Sequence, residues 1–378
     1  MALQFTRNAK VYVELLDAVG GSNVQTWKLG VLDGLSFSQA INASEITISE
    51  AGTTSRRARL LFNDNLAPVE WSFSTYVRPF IDNAPNVTRA PEDALWAMML
   101  GADSYVAGTG IFSNAALSPD VPVNATGSNT NTFNFNGSNV SALSDFWNIY
   151  ISFEEAGNEQ IYKLTKAAVN SVTLDFDIEG IATLQWSGFA ATVEDAGPSK
   201  AGVAALTSPE ESGLTDTSNF IRNRISTVSL TRTDVSPDDV YNIVLTGGSF
   251  TIENNLSYLT PEELGVVNVP LANVTGARAV TGSLTCYLDN DAGNSKSGEL
   301  FADLVSDTTT VRNVFNMAIN VGGDVTGTPH LIFALPTAHL EVPTINVEDL
   351  LTLEVNFHGQ VSSGNVDNTD EATIIYGT

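Results

Sequence analysis

Hydrophobic and polar residues alternate along several short stretches of the chain, which is the pattern of β-strands with one buried face. Residues 72–77 (SFSTYV) and 283–288 (SLTCYL) both alternate with a period of two. Residues 91–101 are instead typical of a short helix, with Pro91 in the first turn, acidic residues after it and a glycine at the end. Residues 297–305 repeat that helical pattern. The sequence therefore predicts a mainly β (α+β) chain with short flanking helices.

The same series of elements occurs twice. The tetrapeptide FTRN begins at Phe5 and FIRN begins at Phe220, an offset of 215 residues. Farther on, VLDGLSFSQAINASEIT (31–47) aligns with VLTGGSFTIENNLSYLT (244–260), and eight of the seventeen positions are identical. Average composition would give about one identity by chance. The sequence thus predicts a tandem duplication, in which each module has two strands, a long excursion, a strand, a helix and closing strands.

The offset between the two copies changes along the chain and thereby locates an insertion. It is 205 residues at the helices but 169 residues where IEGIATL (178–184) aligns with VEDLLTL (347–353). The first module therefore has about 36 additional residues, which we assign to residues 107–144 because their composition is typical of a surface loop or loose hairpin. The predicted organisation is a first module at 1–193, a linker rich in Pro, Gly, Ser and Ala at 194–219, and a second module at 220–378.

The long excursions, at about 43–68 in the first module and 256–279 in the second, are candidates for contact with a neighbouring chain. A compact domain seldom has a structureless segment of this length, so the sequence favours hairpin arms that reach a neighbour. A flexible surface loop is the alternative. Apolar residues argue for the arms, and the candidate contact residues are Ile46, Ile48, Leu60, Leu61, Phe62, Leu264, Val266, Val267 and Val269.

The charge balance limits the possible partners. The chain has 17 Lys and Arg against 43 Asp and Glu, a formal net charge of −26, which disfavours attraction to phosphates. Such a charge either serves solubility or forms a surface that repels nucleic acid. The single Cys286 excludes an internal disulfide, and we see neither a secretion signal nor an apolar run long enough to span a membrane. We therefore expect a soluble chain made in the cytoplasm.

No group of residues has the spacing of a catalytic or metal site. His330, His339 and His358 have no accompanying nucleophile or metal partner, so a structural role is the simpler interpretation. The DNDAG stretch from Asp289 departs from the calcium-loop pattern, and the acidic pairs at 154–155 and 238–239 are typical of solvated loops. The chain also lacks a nucleophile elbow, a phosphate loop and a dinucleotide fingerprint. We expect no enzyme activity, cofactor or metal.

Four segments carry a resemblance to a known family. They are LFNDNLAPVEWSFSTYVRPF (61–80), ITISEAG (46–52) before it, GGSFTIENNLSYLTP (247–261) and GSLTCYL (282–288). Together they resemble the major tail tube protein of siphophages, phages with a long non-contractile tail, in its duplicated form. The resemblance extends over nearly the whole chain. It implies two tail-tube β-sandwich or barrel modules, each with a flanking α-helix and a long hairpin arm.

The resemblance also implies how such a chain works. Three chains would close a ring with pseudo-sixfold symmetry, and stacked rings would form a tube, assembled in the host cytoplasm, that becomes part of the virion tail. The implied partners are further copies of the chain, a tape measure protein, tail terminator and distal tail proteins, and genomic double-stranded DNA that passes through the lumen without specific binding. No membrane insertion is implied. About twenty residues follow Phe357, too few for the additional C-terminal immunoglobulin-like domain of some family members.

Two alternatives remain open at this stage. A baseplate hub or capsid-decoration protein of related fold is the closer one, and a carbohydrate-binding β protein is the other. The latter predicts exposed aromatic platforms, whereas Trp71, Trp96 and Trp186 lie on motifs that are typical of a core. In a tube the negative charge would have a role, because three chains bring 3 × −26 = −78 to each ring. An acidic lumen offers the phosphates of DNA no cationic groups to bind. Which residues line that lumen is not evident from the sequence.

Overall fold

The structure of the chain is a computed structural model. It describes residues 8–17, 21–47, 59–82, 87–106, 110–113, 130–135, 142–143, 145–155, 158–210, 219–235, 239–290, 296–306, 313–323, 328–347, 350–362 and 370–378. Phe5, at the start of the first repeat, and Ile48, an arm candidate, lie outside these residues.

The first half of the described chain consists of fourteen strands and one α-helix. The strands are β1 (Ala9–Leu16), β2 (Asn23–Leu29), β3 (Ser36–Thr47), β4 (Arg59–Tyr76), β5 (Phe80–Asp82), β6 (Val87–Arg89), β7 (Ser104–Val106), β8 (Ile111–Ser113), β9 (Thr130–Asn134), β10 (Trp147–Glu155), β11 (Asn158–Thr165), β12 (Ala168–Asp177), β13 (Thr183–Ala190) and β14 (Thr192–Gly197). Helix α1 (Asp93–Met99) lies between β6 and β7.

The second half repeats much of this series with fewer strands. Its strands are β15 (Thr227–Arg232), β16 (Asp239–Tyr241), β17 (Leu245–Glu253), β18 (Ser257–Leu259), β19 (Ala272–Val274), β20 (Ala279–Tyr287), β21 (Phe315–Val321), β22 (His330–Leu340), β23 (Thr344–Val347), β24 (Leu351–Gly359) and β25 (Thr373–Gly377). Helix α2 (Ser297–Ser306) precedes β21. The predicted mainly β fold with a helix in each half is confirmed.

In the first half two sheets pack around an apolar core, whereas β15–β17 and β20–β25 of the second half all belong to one hydrogen-bonded sheet. In the first module the order β14-β11-β10-β1-β2 forms one sheet, and β12-β13-β4-β3 belongs to a second, larger sheet. Alternate residues of each strand face inward, as the period of two predicts. Trp71, Trp96 and Trp186 are all buried, so they form part of the core and not an exposed aromatic platform.

Helix α1 fills the space beneath the large sheet. All seven of its residues are buried, and the Trp96 ring packs edge-on against Trp186 with centroids 4.9 Å apart. The helix ends because Gly101 adopts a positive φ of 77°, and the Ala102 amide donates back to the Ala97 carbonyl. This left-handed glycine is the helix stop that the sequence indicated.

The two modules share one continuous sheet. Strand β12 of the first module pairs antiparallel with β17 of the second over Ser171↔Glu253 to Asp177↔Gly247. The large sheet therefore contains the order β23-β24-β20-β17-β12-β13-β4-β3, and β22 leads into it through Ala338–Leu340. In each module a hairpin pairs with the strand that follows the arm, so the duplication is visible in the strand order itself.

The segments between the modules are also structured. Strand β14 continues to Gly197, past residue 193, and pairs with β11. Leu206 then packs with Tyr12 and Tyr150. From the inserted region 107–144, β9 pairs with β25 near the C-terminus, which ties the insertion to the second half of the chain. The module boundaries at 193 and 219 stay predictions.

Candidate assembly surfaces

Four strands of the large sheet, β3, β9, β16 and β23, have an edge without a strand partner among the described residues, and two of them lie at the ends of the eight-strand order that spans both modules. One is β3, the last strand in the sheet order, and the other is β23 with the residues that precede it. Ile345 and Val347 on β23 are 39% and 78% exposed, although both lie on the side of the strand that faces the core elsewhere in the sheet. Exposed strand edges template pairing with another chain. These two edges are therefore candidates for contact between copies.

The face of the large sheet opposite the core is polar, and we call it the hydroxyl face. Its side chains form cross-strand pairs in which one hydroxyl bonds another. The oxygen–oxygen distances are 2.8 Å for Ser36–Ser72, 2.9 Å for Ser171–Ser187, 3.0 Å for Thr173–Thr251 and 3.2 Å for Ser249–Ser283. Because these hydroxyls bond one another, few of them need an external partner.

Carboxylates are the main charged groups between these hydroxyls. The strand registers place Glu70, Asp175, Asp177, Glu253 and Glu354 on the hydroxyl face. No described position of this face in β12, β13, β17, β20, β24 or the part of β4 from residue 69 onward holds Lys or Arg. The sequence had left this surface unassigned. The signal was present as alternating Ser and Thr in each strand, but only the register shows that these positions share one face.

Two of the three histidines lie at the margin of the hydroxyl face. His339 and His358 are cross-strand neighbours, and His358 Nε2 lies 3.0 Å from a Glu341 carboxylate oxygen. Hydrogen bonds from His358 and Asn356 lower the pKa of Glu341. His330 is buried, with Nδ1 2.8 Å from the Thr328 carbonyl oxygen. The histidines do not converge on one site.

The first arm extends the sheet as a two-stranded ribbon. Strands β3 and β4 remain paired out to Thr47↔Arg59. Ile46, Leu60 and Phe62 are each about half exposed and Leu61 is 70% exposed. Cross-strand register places Ile46, Leu60 and Phe62 on one face of this ribbon and Leu61 on the other. The structure thus brings together the first-module candidates that it describes.

The second arm is shorter, and its base packs on the first module. The Tyr258 hydroxyl donates to the Lys166 carbonyl at 2.7 Å. Asn268 bridges to β4, because its amide donates to the Asp64 carbonyl and its carbonyl accepts from the Leu66 amide. The four second-module candidates cluster near this bridge and are exposed: Leu264, Val266, Val267 and Val269. The two arms of one chain therefore lie side by side.

A buried polar cluster joins helix α1 to the C-terminal strand. The Trp96 indole donates to the Tyr376 hydroxyl at 2.7 Å, and that hydroxyl lies 2.9 Å from a Glu92 carboxylate oxygen. Burial raises the Glu92 pKa to about 7. Burial also raises the Asp93 pKa, against the opposing effect of Arg89, while Asn131 donates to the Asp93 carboxylate. This cluster is enclosed, and its hydrogen bonds hold helix α1 against strand β25.

Glu154 and Asp289, which the sequence raised as possible site residues, form ion pairs and hydrogen bonds within the fold. Glu154 is ion-paired with Lys10 and with Lys200, which lies 3.1 Å away. The Asp289 carboxylate lies 3.6 Å from the Lys296 ammonium, and the Asp289 backbone amide donates to Ser297 Oγ. Within the described ranges, no group of three or more His, Cys, Asp or Glu side chains could hold a metal ion. In the same ranges, no helix is both long and apolar enough to cross a membrane.

Comparison with known proteins agrees with this architecture. The family model of the phage tail tube protein matches residues 69–359, which is most of the chain. The chain belongs to the phage tail tube protein family and is a structural component of the virion tail, not an enzyme. As the resemblance implied, it is of the siphophage type.

A particular relative shows how far this similarity extends. The chain is 31% identical over 372 residues to the tail tube protein pb6 of Escherichia phage T5. The alignment covers 94% of this chain and 72% of the relative. The similarity therefore includes both modules and the segments between them.

Proposed function

We propose that three copies of this chain close a pseudo-sixfold ring, and that stacked rings form a tube through which double-stranded DNA passes. The observation that carries the proposal is the β12–β17 junction, which joins two similar modules edge to edge within one chain. A second junction of the same kind between β23 and β3 of neighbouring chains repeats that contact. A heterologous contact that closes on rotation gives a ring.

The register of the β12–β17 junction within the chain specifies the register of the proposed β23–β3 junction between chains. Strand β17 corresponds to β3 at an offset of 213, since Ser249↔Ser283 matches Ser36↔Ser72. Strand β12 corresponds to β22–β23 at an offset of 171, since Leu174↔Leu184 matches Ile345↔Leu353. Applying both offsets to Thr173↔Thr251 pairs Thr344 with Ser38 of the next chain.

The same offsets explain the exposed apolar residues on β23. The internal pair Leu174↔Phe250 becomes Ile345 against Phe37 of the next chain. Phe176↔Gly248 becomes Val347 against Leu35 of the next chain. Side chains that are exposed in one chain are thus buried in the ring. Burial of each such side chain contributes about 1.5–3 kcal/mol when it is complete.

A cysteine cross-link tests the ring. Ser38→Cys combined with Thr344→Cys should give disulfide-linked dimers and trimers, because directly opposed Cβ atoms lie about 4.5–5.5 Å apart. Asn42→Cys with Thr344→Cys is the control, since four residues along a strand is roughly 13 Å. Native Cys286 is fully buried and does not compete. Equal cross-linking of both pairs, or of neither pair in assembled tubes, contradicts the register.

The hydroxyl face becomes the lumen in this arrangement. Three chains contribute 3 × 8 = 24 strands to the inner barrel, and a barrel with so many strands leaves an open channel. Phosphates that meet paired hydroxyls and carboxylates find no cation to bind, so DNA passes without specific contact. The arms would link successive rings. A tape measure protein, a tail terminator and distal tail proteins are the further partners that we propose for this chain.

A further inference from the structure

Residues 219–223, at the start of the second module, act as a clip on the first module. The Phe220 ring packs edge-on against Tyr76 with centroids 5.1 Å apart. The Ala182 amide donates to the Ile221 carbonyl at 3.0 Å, and the Asn223 amide donates to the Gly180 carbonyl at 3.1 Å. The clip therefore covers the end of β4 and pairs with the turn that joins β12 to β13.

The second module has a corresponding receiving surface at the end of β20, although its β23–β24 turn is two residues shorter than the β12–β13 turn. Tyr287 at the end of β20 corresponds to Tyr76, and Leu351 corresponds to Ala182. The backbone agrees, because the Leu288 amide donates to the Leu351 carbonyl at 2.9 Å just as the Val77 amide donates to the Ala182 carbonyl at 3.0 Å. The receiving positions are therefore equivalent in backbone as well as in sequence.

On the second module this surface is exposed. Tyr287 is 42% exposed, and Leu351 is 41% exposed whereas its counterpart Ala182 is buried. Leu350 is 63% exposed, against 45% for its counterpart Ile181. Tyr76, by contrast, is only partly exposed beneath the Phe220 ring. An apolar surface that is covered in one copy of a repeat and more open in the other is a candidate site for a second clip. Residues 219–223 already lie on the first module, so a second segment would have to supply that clip.

The sequence contains one segment that matches the clip. Residues 5–8 (FTRN) correspond to residues 220–223 (FIRN), with the aromatic ring, the arginine and the asparagine in the same order. Residues 5–7 lie outside the described ranges, and Asn8 directly precedes β1, whereas Asn223 precedes β15 by four residues. We propose that residues 5–8 of one chain clip onto Tyr287, Leu350 and Leu351 of its neighbour in the ring.

This inference rests on the proposed ring and adds a contact that the strand edges do not provide. In a ring the start of a first module lies beside the second module of the preceding chain, as the start of the second module lies beside the first. The clip would place Phe5 edge-on against Tyr287, and the Leu351 amide would donate to the Thr6 carbonyl. Each ring would then contain three clips within chains and three between chains.

The first test removes the aromatic ring. Phe5→Ala should raise the concentration at which rings form at least about tenfold, because the edge-on aromatic contact and its burial are lost. The melting temperature of the unassembled chain should not change, and Phe5→Tyr should restore ring formation. Leu3→Ala is the matched control, because position 3 precedes the FTRN match by two residues, and it should behave as wild type. Ring formation by Phe5→Ala at the wild-type concentration overturns the proposal.

The second test locates the contact. A short bis-maleimide should join Phe5→Cys to Tyr287→Cys between chains, whereas Phe5→Cys with Tyr76→Cys should give no product, because Phe220 already covers Tyr76. The Ser38–Thr344 cross-link, measured on the same preparation, reports the ring independently. Rings that form the strand cross-link but not the Phe5–Tyr287 product overturn the clip and leave the ring intact. Loss of both cross-links in assembled tubes overturns both proposals.

Discussion

Glu92 is a fully buried carboxyl whose ionisation opposes folding. Its pKa rises from 4.5 to about 7 because the side chain has lost its hydration, and the bond from Tyr376 does not offset this loss. The folded state therefore holds the proton more tightly than the unfolded chain does. Its contribution to stability is complete below pH 4.5 and is lost as the pH rises through about 7.

Glu92→Gln should flatten this pH dependence. The amide keeps an oxygen that accepts from Tyr376 and never ionises, so up to about 3 kcal/mol of pH-dependent stability disappears. The measurement is the urea unfolding midpoint at pH 5 and pH 8, compared between wild type and variant. Glu354→Gln, an exposed carboxylate on β24, is the control. A variant whose midpoint still falls as steeply as wild type between these pH values would show that Glu92 is already ionised in the fold.

In both modules an aromatic ring on one strand lies opposite a glycine on the neighbouring strand. In the first module Gly188 lies opposite Trp71, and a Cβ on Gly188 would stand 2.5 Å from the Trp71 ring. In the second module the aromatic and the glycine exchange strands, with Gly282 opposite Phe357. Both arrangements place one ring over one glycine. Alignment of the two copies pairs a tryptophan with a glycine here, so the sequence shows a mismatch where the structure shows equivalence.

The two arms differ in their secondary structure. The sequence indicated two arms of similar length, but only β3 and β4 continue as a long ribbon, whereas the base of the second excursion folds back on the first module. Asn268 and Tyr258 bond backbone groups that are distant in sequence, which no local pattern encodes. The series of strands and one helix along each module was predictable from periodicity and from the repeat. Tertiary contacts determine which of the two excursions projects as an extended ribbon.

Shortening the first arm should abolish tube growth without unfolding the chain. We would replace residues 46–60 with Asn-Gly, which joins the Glu45↔Leu61 pair by a two-residue hairpin turn. The described side chains that this removes are exposed, so the unfolding midpoint should stay close to that of wild type. Negative-stain microscopy should show rings but no tubes.

A point variant controls for general loss of apolar surface. Val106→Ser on β7 removes a side chain that is 53% exposed but lies outside both arms, and it should form tubes normally. If the shortened chain also forms tubes of normal length, the β3–β4 ribbon does not join successive rings.

A two-residue difference in one turn sets the strand register of the proposed ring. Gapless alignment of the closing strands gives an offset of 169, yet the strand pairing of β12 and β23 gives 171. The turn between β12 and β13 is longer than its counterpart between β23 and β24, and the sequence alone could not place the two extra residues. Only the offset of 171 sets Ile345 against Phe37 and Val347 against Leu35, so the register of the proposed ring follows from the structure.

At the scale of the proposed ring, the charge of the proposed lumen is the property through which we expect the protein to affect DNA passage. Asp175→Lys combined with Glu354→Lys would put six lysines in place of six carboxylates in every ring of three chains, all on the hydroxyl face. Repeated in each ring, these cations would bind phosphates along the tube. DNA ejection from particles built with this variant should slow at least about tenfold, and added salt should relieve the delay through weaker phosphate binding.

The matched control changes the net charge of the chain equally but elsewhere. Glu194→Lys with Glu299→Lys alters two exposed carboxylates that lie on β14 and on α2, away from the hydroxyl face and from both arms. Particles with these changes should eject DNA at the wild-type rate if position decides the effect. Equal slowing by both pairs would assign the effect to net charge, and normal ejection by Asp175→Lys with Glu354→Lys in intact tails would mean that the hydroxyl face does not line the path of the DNA.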